Sequence, residues 1–362
     1  MSKIGYLGID IGSISTNLVL IDSDKNEFSK NYIRGVGSPI HSVQKGLLMI
    51  RDEIREDITI KGVCSTGSGR VLIGMMVGSD IIKNEISAHA KGAIHSHPDV
   101  KTIFEIGGQD SKVTIIRDSA VVDFSMNLVC AAGTGSFLDS QARRLGITVQ
   151  EMSELSILSD NPTTIAGRCT VFAESDMIHK QQVGHKQKDI VMGLCKALVR
   201  NYLSNVCRGK SLKPPFILQG GVSANKGIVK AFESELKHKV IIPEHHMVMG
   251  AFGAALLAAE TNIEKTSFRG FNISNHNIST STFICNDCAN CCEIIEIIDS
   301  VKIIGRSGGR CRKWEGTSGA KEQIKKSPSH SNLRKLPEKL QITVNPNQLS
   351  NNNPMDVPNI LS

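Results

Sequence analysis

Aromatic residues are scarce in this sequence: Phe, Trp and Tyr together make up 4% of it, and Trp occurs once. A hydrophobic core must therefore rest on Ile, Val, Leu, Met and Ala. Long apolar runs are absent too, because Gly or a charged residue interrupts each run well before the ~20 residues that span a bilayer. The chain begins without a basic segment followed by an apolar run, so we expect no signal peptide. These absences predict a cytoplasmic protein with no membrane partner.

A basic surface for nucleic acid is also missing from most of the chain. The formal net charge is +7, but this excess lies wholly in 301–362, where eleven Lys and Arg residues accompany four Asp and Glu residues. Residues 1–300 are formally neutral and contain no basic stripe with interleaved aromatic residues. We therefore expect no nucleic acid partner.

One pattern of predicted elements occurs twice in the 362 residues, a length sufficient for two domains. Within 4–35, an apolar strand, a Gly turn and two further strands form a predicted β-meander. The same order recurs within 102–125, after the boundary at His97-Pro98-Asp99. The recurrence predicts an α/β fold made of two duplicated lobes.

Changes in composition along the chain predict further segment boundaries. Asn, Ser, His and Thr dominate 272–282, as in a linker, and beyond 317 no sustained period is present, as in a disordered tail. The predicted division is a first lobe at 1–97 completed by a helix at about 247–260, a second lobe at 98–246, a linker at 272–282, a Cys-rich patch at 283–316 and a tail at 317–362.

Three apolar strands each run into a Gly-rich turn that could hold phosphate. The residues of interest are Asp10, Gly12, Ser13 and Thr16 in the first turn, Gly107, Gly108, Gln109 and Asp110 in the second, and Gly220, Gly221 and Asn225 in the third. Glycine lets the backbone approach phosphate closely, and free N–H groups bind anions. A carboxylate at a strand end can hold Mg²⁺ through water and orient an attacking water. Any one turn alone is more simply a structural turn.

In this order and spacing, the three turns resemble the phosphate-1, phosphate-2 and adenosine motifs of the actin/sugar kinase/Hsp70 superfamily. The resemblance implies two ribonuclease-H-like lobes that bind ATP and Mg²⁺ between them. It implies phosphate contacts at the first two turns and nucleoside contacts at the third. The expected catalytic residues are Asp10, Gln109 and Asp110. A Walker A loop is absent from the sequence, which excludes a P-loop protein.

Two cysteines precede predicted helices, namely Cys130 and Cys169. The positive end of a helix dipole favours a thiolate and an anionic ligand at such positions. One chain supplies only two such thiolates, so a cluster with four would require a second copy across a two-fold axis. Disulfides are not expected in a reducing compartment, and Cys64, Cys195 and Cys207 are predicted to be buried.

The surrounding segments, NLVCAAGTGSFLDSQARRLGI and GRCTVFAESDMIHKQQVG, resemble the activator component of 2-hydroxyacyl-CoA dehydratases and the related ATPase subunits of benzoyl-CoA reductase. The resemblance extends over about 4–259. It implies a homodimer with one [4Fe–4S] cluster held between the subunits by Cys130 and Cys169, beside the cofactor-binding residues Gly133, Thr134 and Gly135. It also implies ATP hydrolysis coupled to electron transfer from ferredoxin or flavodoxin to an iron–sulfur acyl-CoA dehydratase or reductase.

A second group of cysteines lies near the end of the chain, at Cys285, Cys288, Cys292 and Cys311, with Cys291 as a spare. Their spacing suits tetrahedral Zn²⁺ or a second Fe–S cluster. Clustered free thiols are the simpler alternative. This segment resembles the region that follows the activator domain in larger fused activase-like proteins.

Other interpretations stay open. Glu85 and His89 lie one turn apart on a predicted helix, most simply as a local surface pair, with an interlobe or catalytic role as the alternative. For the whole chain, one alternative is a small-molecule kinase of the same superfamily, which would not need the cysteine pair. A second is a regulatory ATP sensor whose C-terminal metal patch binds a partner.

Overall fold

The computed structural model describes residues 3–35, 37–54, 58–127, 131–166, 169–311 and 313–314 of the 362-residue chain. All of them lie within the first of the two units into which the chain divides, which ends at Ser318. Among these residues, no helix is both long and apolar enough to cross a membrane. The tail that we predict to be disordered, 317–362, lies outside the described residues.

The first lobe contains the predicted β-meander. Its strands are β1 (Lys3–Ile11), β2 (Ser15–Asp22), β3 (Glu27–Arg34), β4 (Ile58–Gly67) and β5 (Ile81–Ile82), and its helices are α1 (Pro39–Glu53), α2 (Arg70–Val77) and α3 (Glu85–Ser96). The strands form one sheet in the order β3-β2-β1-β4-β5. β1 pairs antiparallel with β2 and parallel with β4. Side chains on both faces of β1 and β2 are buried, which explains why these strands are almost continuously apolar.

The second lobe repeats this topology. Its elements are β6 (Thr102–Ile106), β7 (Ser111–Arg117), β8 (Ala120–Asn127), α4 (Gly135–Arg144), α5 (Val149–Ile157), α6 (Thr170–Gln182), α7 (Gln187–Asn205), β9 (Phe216–Gln219), α8 (Lys226–Leu236) and β10 (Val240–Ile241). The strand order is β10-β9-β6-β7-β8, with β6 antiparallel to β7 and parallel to β9. The repeat confirms the predicted α/β fold with two duplicated lobes.

Several of the few aromatic residues are concentrated in the core of the second lobe. The ring of Phe104 stacks on Phe232 at 5.1 Å between centroids and meets Tyr202 edge-on at 6.0 Å. Such pairs contribute about 0.5–1.5 kcal/mol beyond their buried area. The remaining core of this lobe is mainly aliphatic, as the composition predicts.

The last helix of the two-lobed part, α9 (Met249–Glu260), packs against β1, β4 and α3. Two glycines permit this close approach. A Cβ at Gly8 would overlap the carbonyl oxygen of Ala251, and a Cβ at Gly253 would overlap that of Ala88. The small-residue sequence of α9 therefore seats it directly on the first lobe.

The interpretation of 272–282 as a linker is wrong. This segment contains most of a 3-10 helix (Phe271–Asn275) and of strand β11 (Ile278–Ile284), which forms an antiparallel sheet with β12 (Glu293–Asp299) and β13 (Lys302–Ser307) in the order β11-β12-β13. Ile273 and Ile278 are buried in the core of the first lobe, together with Ile297 and Ile304. The polar residues that suggested a linker are mostly exposed, and a few apolar residues between them anchor the segment.

Candidate nucleotide site

The three Gly-rich turns converge on one cleft between the lobes, with a volume of about 830 Å³. A cavity of this size accommodates a small organic ligand. The predicted site residues that line it are Asp10, Gly12, Ser13, Gly107, Gly108, Gln109, Asp110, Gly135, Gly220, Gly221 and Asn225. Thr16, Gly133 and Thr134 are not among the lining residues, and their side chains or backbone are buried. Long-range topology thus unites residues separated by more than half the chain.

The first turn is exposed at its tip and held at its base. The amide of Gly12 donates to the carbonyl of Ser15 at 2.9 Å, and the carbonyl of Ile14 accepts from the amide of Gly35 at 2.7 Å. Gly12 and Ser13 are exposed to the cleft. The turn therefore presents its backbone and a hydroxyl group where an anion would lie.

The second turn is bonded to the start of α4. The carbonyl of Gly107 accepts from the amide of Gly135 at 2.9 Å, and that of Gly108 accepts from the amide of Ser136 at 2.7 Å. A Cβ at Gly108 would overlap the side chain of Ile14, so this turn also touches the first turn. Any shift of the second turn must act on α4 and on the opposite lobe.

The third turn depends on a left-handed backbone. Gly220 has φ of +88°, which L-residues with a side chain rarely adopt. Its amide donates to the carbonyl of His246 at 2.8 Å. Asn225 caps α8, since its Oδ1 accepts from the amide of Ile228 at 3.1 Å. Its Nδ2 has no partner among the described residues and is buried, which suits a donor to a ligand.

The side chain of a buried lysine neutralises carboxylates that line the cleft. Nζ of Lys112 lies 3.0 Å from Glu105, 2.9 Å from Asp110 and 3.5 Å from Glu85. Burial alone would lower the pKa of Lys112, but the three carboxylates outweigh it and raise that pKa. Lys112 therefore stays charged, and Asp110 is ion-paired rather than a free base.

His89 is a residue whose importance the sequence did not establish. Its side chain is 12% exposed and contacts Asp10 and Glu105, which belong to different lobes. Glu85 also lines the cleft and reaches Lys112. The simpler interpretation of Glu85 and His89 as a local surface pair is therefore wrong, because the face of α3 that carries them points into the cleft.

The cysteine that precedes α6 is accessible. Cys169 is the N-cap residue of α6 and half-buried, and in the described structure its side chain makes no capping hydrogen bond. Val171 and Phe172, two and three residues after Cys169, are 68% and 67% exposed, as apolar interaction surfaces are. Cys130 lies outside the described residues.

Three other cysteines are buried, as predicted: Cys64, Cys195 and Cys207. Burial raises the pKa of each thiol to about 12. A thiol that stays protonated is a poor nucleophile and a poor metal ligand. These residues therefore belong to the core.

The C-terminal cysteines lie at one end of the third sheet. The amide of Cys285 donates to the carbonyl of Cys292 at 2.8 Å, and Cys311 follows β13 toward the same end. In the part of the chain that is described, no three His, Cys, Asp or Glu side chains are arranged to hold a metal ion. Metal binding by Cys285, Cys288, Cys292 and Cys311 therefore stays a prediction.

Two duplicated sheets with a nucleotide-sized cleft at their Gly-rich turns define an ATP-binding protein of the actin/sugar kinase/Hsp70 fold. The chain belongs to the BadF/BadG/BcrA/BcrD ATPase family, whose family model matches residues 7–258.

Relatives in this family align over most of their length. The 2-hydroxyisocaproyl-CoA dehydratase activator of Clostridioides difficile is 35% identical over 258 residues, which are 70% of this chain and 94% of the relative. The activator of lactoyl-CoA dehydratase of Anaerotignum propionicum is 35% identical over 263 residues, 72% of this chain and 99% of the relative. The structure of the Clostridium difficile activator with bound ADPNP superposes with a TM-score of 0.64 at 35% identity, covering 71% of this chain and 94% of that structure. The structure of component A of the (R)-2-hydroxyglutaryl-CoA dehydratase of Acidaminococcus fermentans superposes with a TM-score of 0.65 at 30% identity, covering 71% of this chain and 98% of that structure.

Proposed function

We propose that this protein is an ATP-dependent activator that delivers a low-potential electron to an iron–sulfur acyl-CoA dehydratase or reductase. The names of its relatives support the activator role. The structural observation that carries the proposal is the hydrogen bonding of the Gly107–Gly108 turn to the start of α4. That helix follows Cys130 by five residues in the sequence. A change at the nucleotide would therefore reach the segment that carries this thiol.

In this proposal the first two turns bind the phosphates of ATP, and the third lies beside the nucleoside. Asp10 orients the attacking water and holds Mg²⁺ through water. The surroundings of Asp10 fit a cation. Burial raises the pKa of Asp10, a cost that His89 and Lys112 offset only in part, and a divalent ion would favour the ionised form.

Cleft closure would move α4 from two sides. The backbone bonds from Gly107 and Gly108 connect α4 to the second turn, and Arg34 of β3 pairs with Asp139 of α4 at 2.8 Å. Both lobes thus hold the same helix. Closing two lobes on a nucleotide is a common way to displace such an element.

A [4Fe–4S] cluster, which would supply one-electron transfer at low potential, would be held by Cys130 and Cys169 from each subunit of a homodimer. The residues present fit such a group. Cys169 is accessible at a helix N-terminus. With Cys130, which the sequence places before another helix, each chain would supply two thiolates and a two-fold dimer four. The exposed Val171 and Phe172 would lie beside the cluster, where the second subunit or the dehydratase component docks. Ferredoxin or flavodoxin would be the electron donor.

The test is anaerobic purification with iron and sulfide analysis and measurement of mass in solution. We expect a dimer with about four irons, and loss of this iron in Cys130→Ala and in Cys169→Ala. Cys64→Ala is the matched control, because it removes a buried thiol and should leave the iron in place. A colourless monomer that hydrolyses ATP normally would refute electron delivery. A phosphorylated metabolite formed without reductant would then identify a kinase.

A further inference from the structure

His89 contacts residues from the ends of three strands that lead into the three Gly-rich turns. Its Nδ1 lies 3.2 Å from Oε2 of Glu105 at the end of β6 and 3.0 Å from Nε2 of Gln219 at the end of β9. Its Nε2 lies 3.8 Å from Oδ2 of Asp10 at the end of β1. One imidazole on α3 therefore meets the base of every turn that lines the cleft.

The surroundings of this imidazole are buried and crowded. Gln219 is fully buried, and the side chains of Asp10 and Glu105 are 11% and 7% exposed. A Cβ at Gly250, in the first turn of α9, would overlap Oδ2 of Asp10 and lie 2.7 Å from Nε2 of His89. Position 250 thus requires glycine, and neither the carboxylate nor the ring has space to move toward α9.

Charge and hydrogen bonding explain why a histidine suits this position. With a proton on Nδ1, the ring donates to Oε2 of Glu105 in the second lobe, and the amide of Gln219 then turns its oxygen, which otherwise lacks a partner among the described residues, toward that N–H group. Nε2 then faces the carboxylate of Asp10 in the first lobe at 3.8 Å, which is too long for a direct hydrogen bond. A single water could contact both atoms. An aliphatic residue would leave Glu105 and Gln219 short of a buried partner.

We propose that His89 is a positioning residue: it holds the carboxylate of Asp10 in register with the second lobe and so couples the orientation of the attacking water to cleft closure. The inference rests on the proposed role of Asp10. It assigns no direct contact between His89 and ATP. The loss of His89 should therefore slow turnover far more than it weakens nucleotide binding.

The experiment compares the steady-state hydrolysis of Mg-ATP by the full-length native protein with that by its variants. We expect His89→Ala to lower kcat by about 100-fold, the scale of a misplaced reacting group, and to change KM by less than about threefold. Glutamine places an amide near the former Nε2, and asparagine places one near Nδ1. His89→Gln should therefore recover more kcat than His89→Asn, because Gln keeps the contact with Asp10. The matched control is His95→Ala, which removes an exposed histidine of the same helix and should leave kcat unchanged.

Two further variants separate this inference from the proposed function. Asp10→Asn should lower turnover to a small residual rate, and adding His89→Ala to it should cause no further loss of that rate, because the histidine acts through the carboxylate. Wild-type turnover in Asp10→Asn would refute the role of Asp10. A nearly inactive Asp10→Asn with a fully active His89→Ala would overturn the inference on His89 alone. Equal recovery by Gln and Asn, or a large rise in KM with kcat retained, would also overturn it.

Discussion

The carbonyl of Gly108 accepts two hydrogen bonds from Ser136, one from the amide at 2.7 Å and one from Oγ at 2.6 Å. Gly108 belongs to the second Gly-rich turn, and Ser136 lies in the first turn of α4. The pair therefore forms a direct link between the nucleotide cleft and the helix that follows Cys130. Removing one bond of the two should loosen this link without unfolding either element.

We expect Ser136→Ala to keep ATP hydrolysis near the native rate and to reduce the electrons delivered per ATP. The expected reduction is about 2- to 30-fold, which corresponds to a coupling free energy of about 0.5–2 kcal/mol. The measurement is anaerobic reduction of a low-potential dye alongside phosphate release. Ser140→Ala, one turn further along α4, is the control and should leave the ratio unchanged. If Ser136→Ala delivers as many electrons per ATP as the native protein, coupling through this hydrogen bond is excluded.

Replacing Lys112 with Met should destabilise the protein by about 3–5 kcal/mol, because it leaves a buried carboxylate without its cation. Burial alone would raise the pKa of Glu105, but His89 and Lys112 outweigh it and lower that pKa. In the native protein, this contribution to stability is present above the ordinary pKa of 4.5 and is lost as the pH falls through the folded value.

In Lys112→Met the pKa of Glu105 should rise, so protonation relieves the unpaired charge at a higher pH. The difference in unfolding free energy between native protein and variant should therefore narrow from about pH 7 to about pH 5. Urea unfolding at both pH values measures it. Lys210→Met, which removes a more exposed pair with Asp123 at 2.7 Å, should lower the unfolding free energy far less than Lys112→Met does. A difference that widens on acidification would contradict this account.

The C-terminal cysteines should bind a metal in addition to the proposed cluster iron. We expect elemental analysis to find either about one zinc per chain or the additional iron and sulfide of a second cluster, in both cases lost in Cys288→Ser and in Cys311→Ser. Cys291→Ser provides the matched control, because Cys291 is the spare thiol of the same turn and should leave the metal in place. Native protein without extra metal would identify these residues as free thiols.

Truncation should separate the third sheet from the tail. A chain ending at residue 316 should have the same unfolding free energy as the full chain. A chain ending at residue 271 should have an unfolding free energy lower by several kcal/mol. The reason is that Ile273, Ile278, Ile297 and Ile304 are buried in the first lobe, and burial of each stabilises by about 1.5–3 kcal/mol. Thermal unfolding of both chains is the measurement. For the same reason, deletion of the whole region is a poor test of a regulatory role, and single cysteine variants are the better one.

The three turns could be predicted because their signals are local. An apolar run that ends in an acidic or amide residue and glycines specifies a strand and a tight turn without reference to the remainder of the chain. The duplicated meander could be recognised for the same reason. The start of helix α5 carries a local signal of the same kind, because Thr148 and Glu151 form a capping box.

The role of His89 could not be predicted, because helical spacing shows which residues share a face but not what that face meets. Glu85 and His89 share one face of α3 in any helix. Only the packing of α9 against β1 and α3 turns that face toward Asp10 and Glu105. Lys112 is a similar case, since a lysine in a strand is usually exposed. Here it is buried among three carboxylates, two from its own hairpin and one, Glu85, from α3.

By itself, the sequence determined the two repeated strand patterns, the glycine positions that suit phosphate and the cysteines that precede two helices, because each depends on a few consecutive residues. Only the tertiary structure decided that 272–282 belongs to the core of the first lobe and that His89 joins the ends of three strands. Both depend on contacts between residues far apart in the chain. Burial on folding, rather than local preference, selects such contacts.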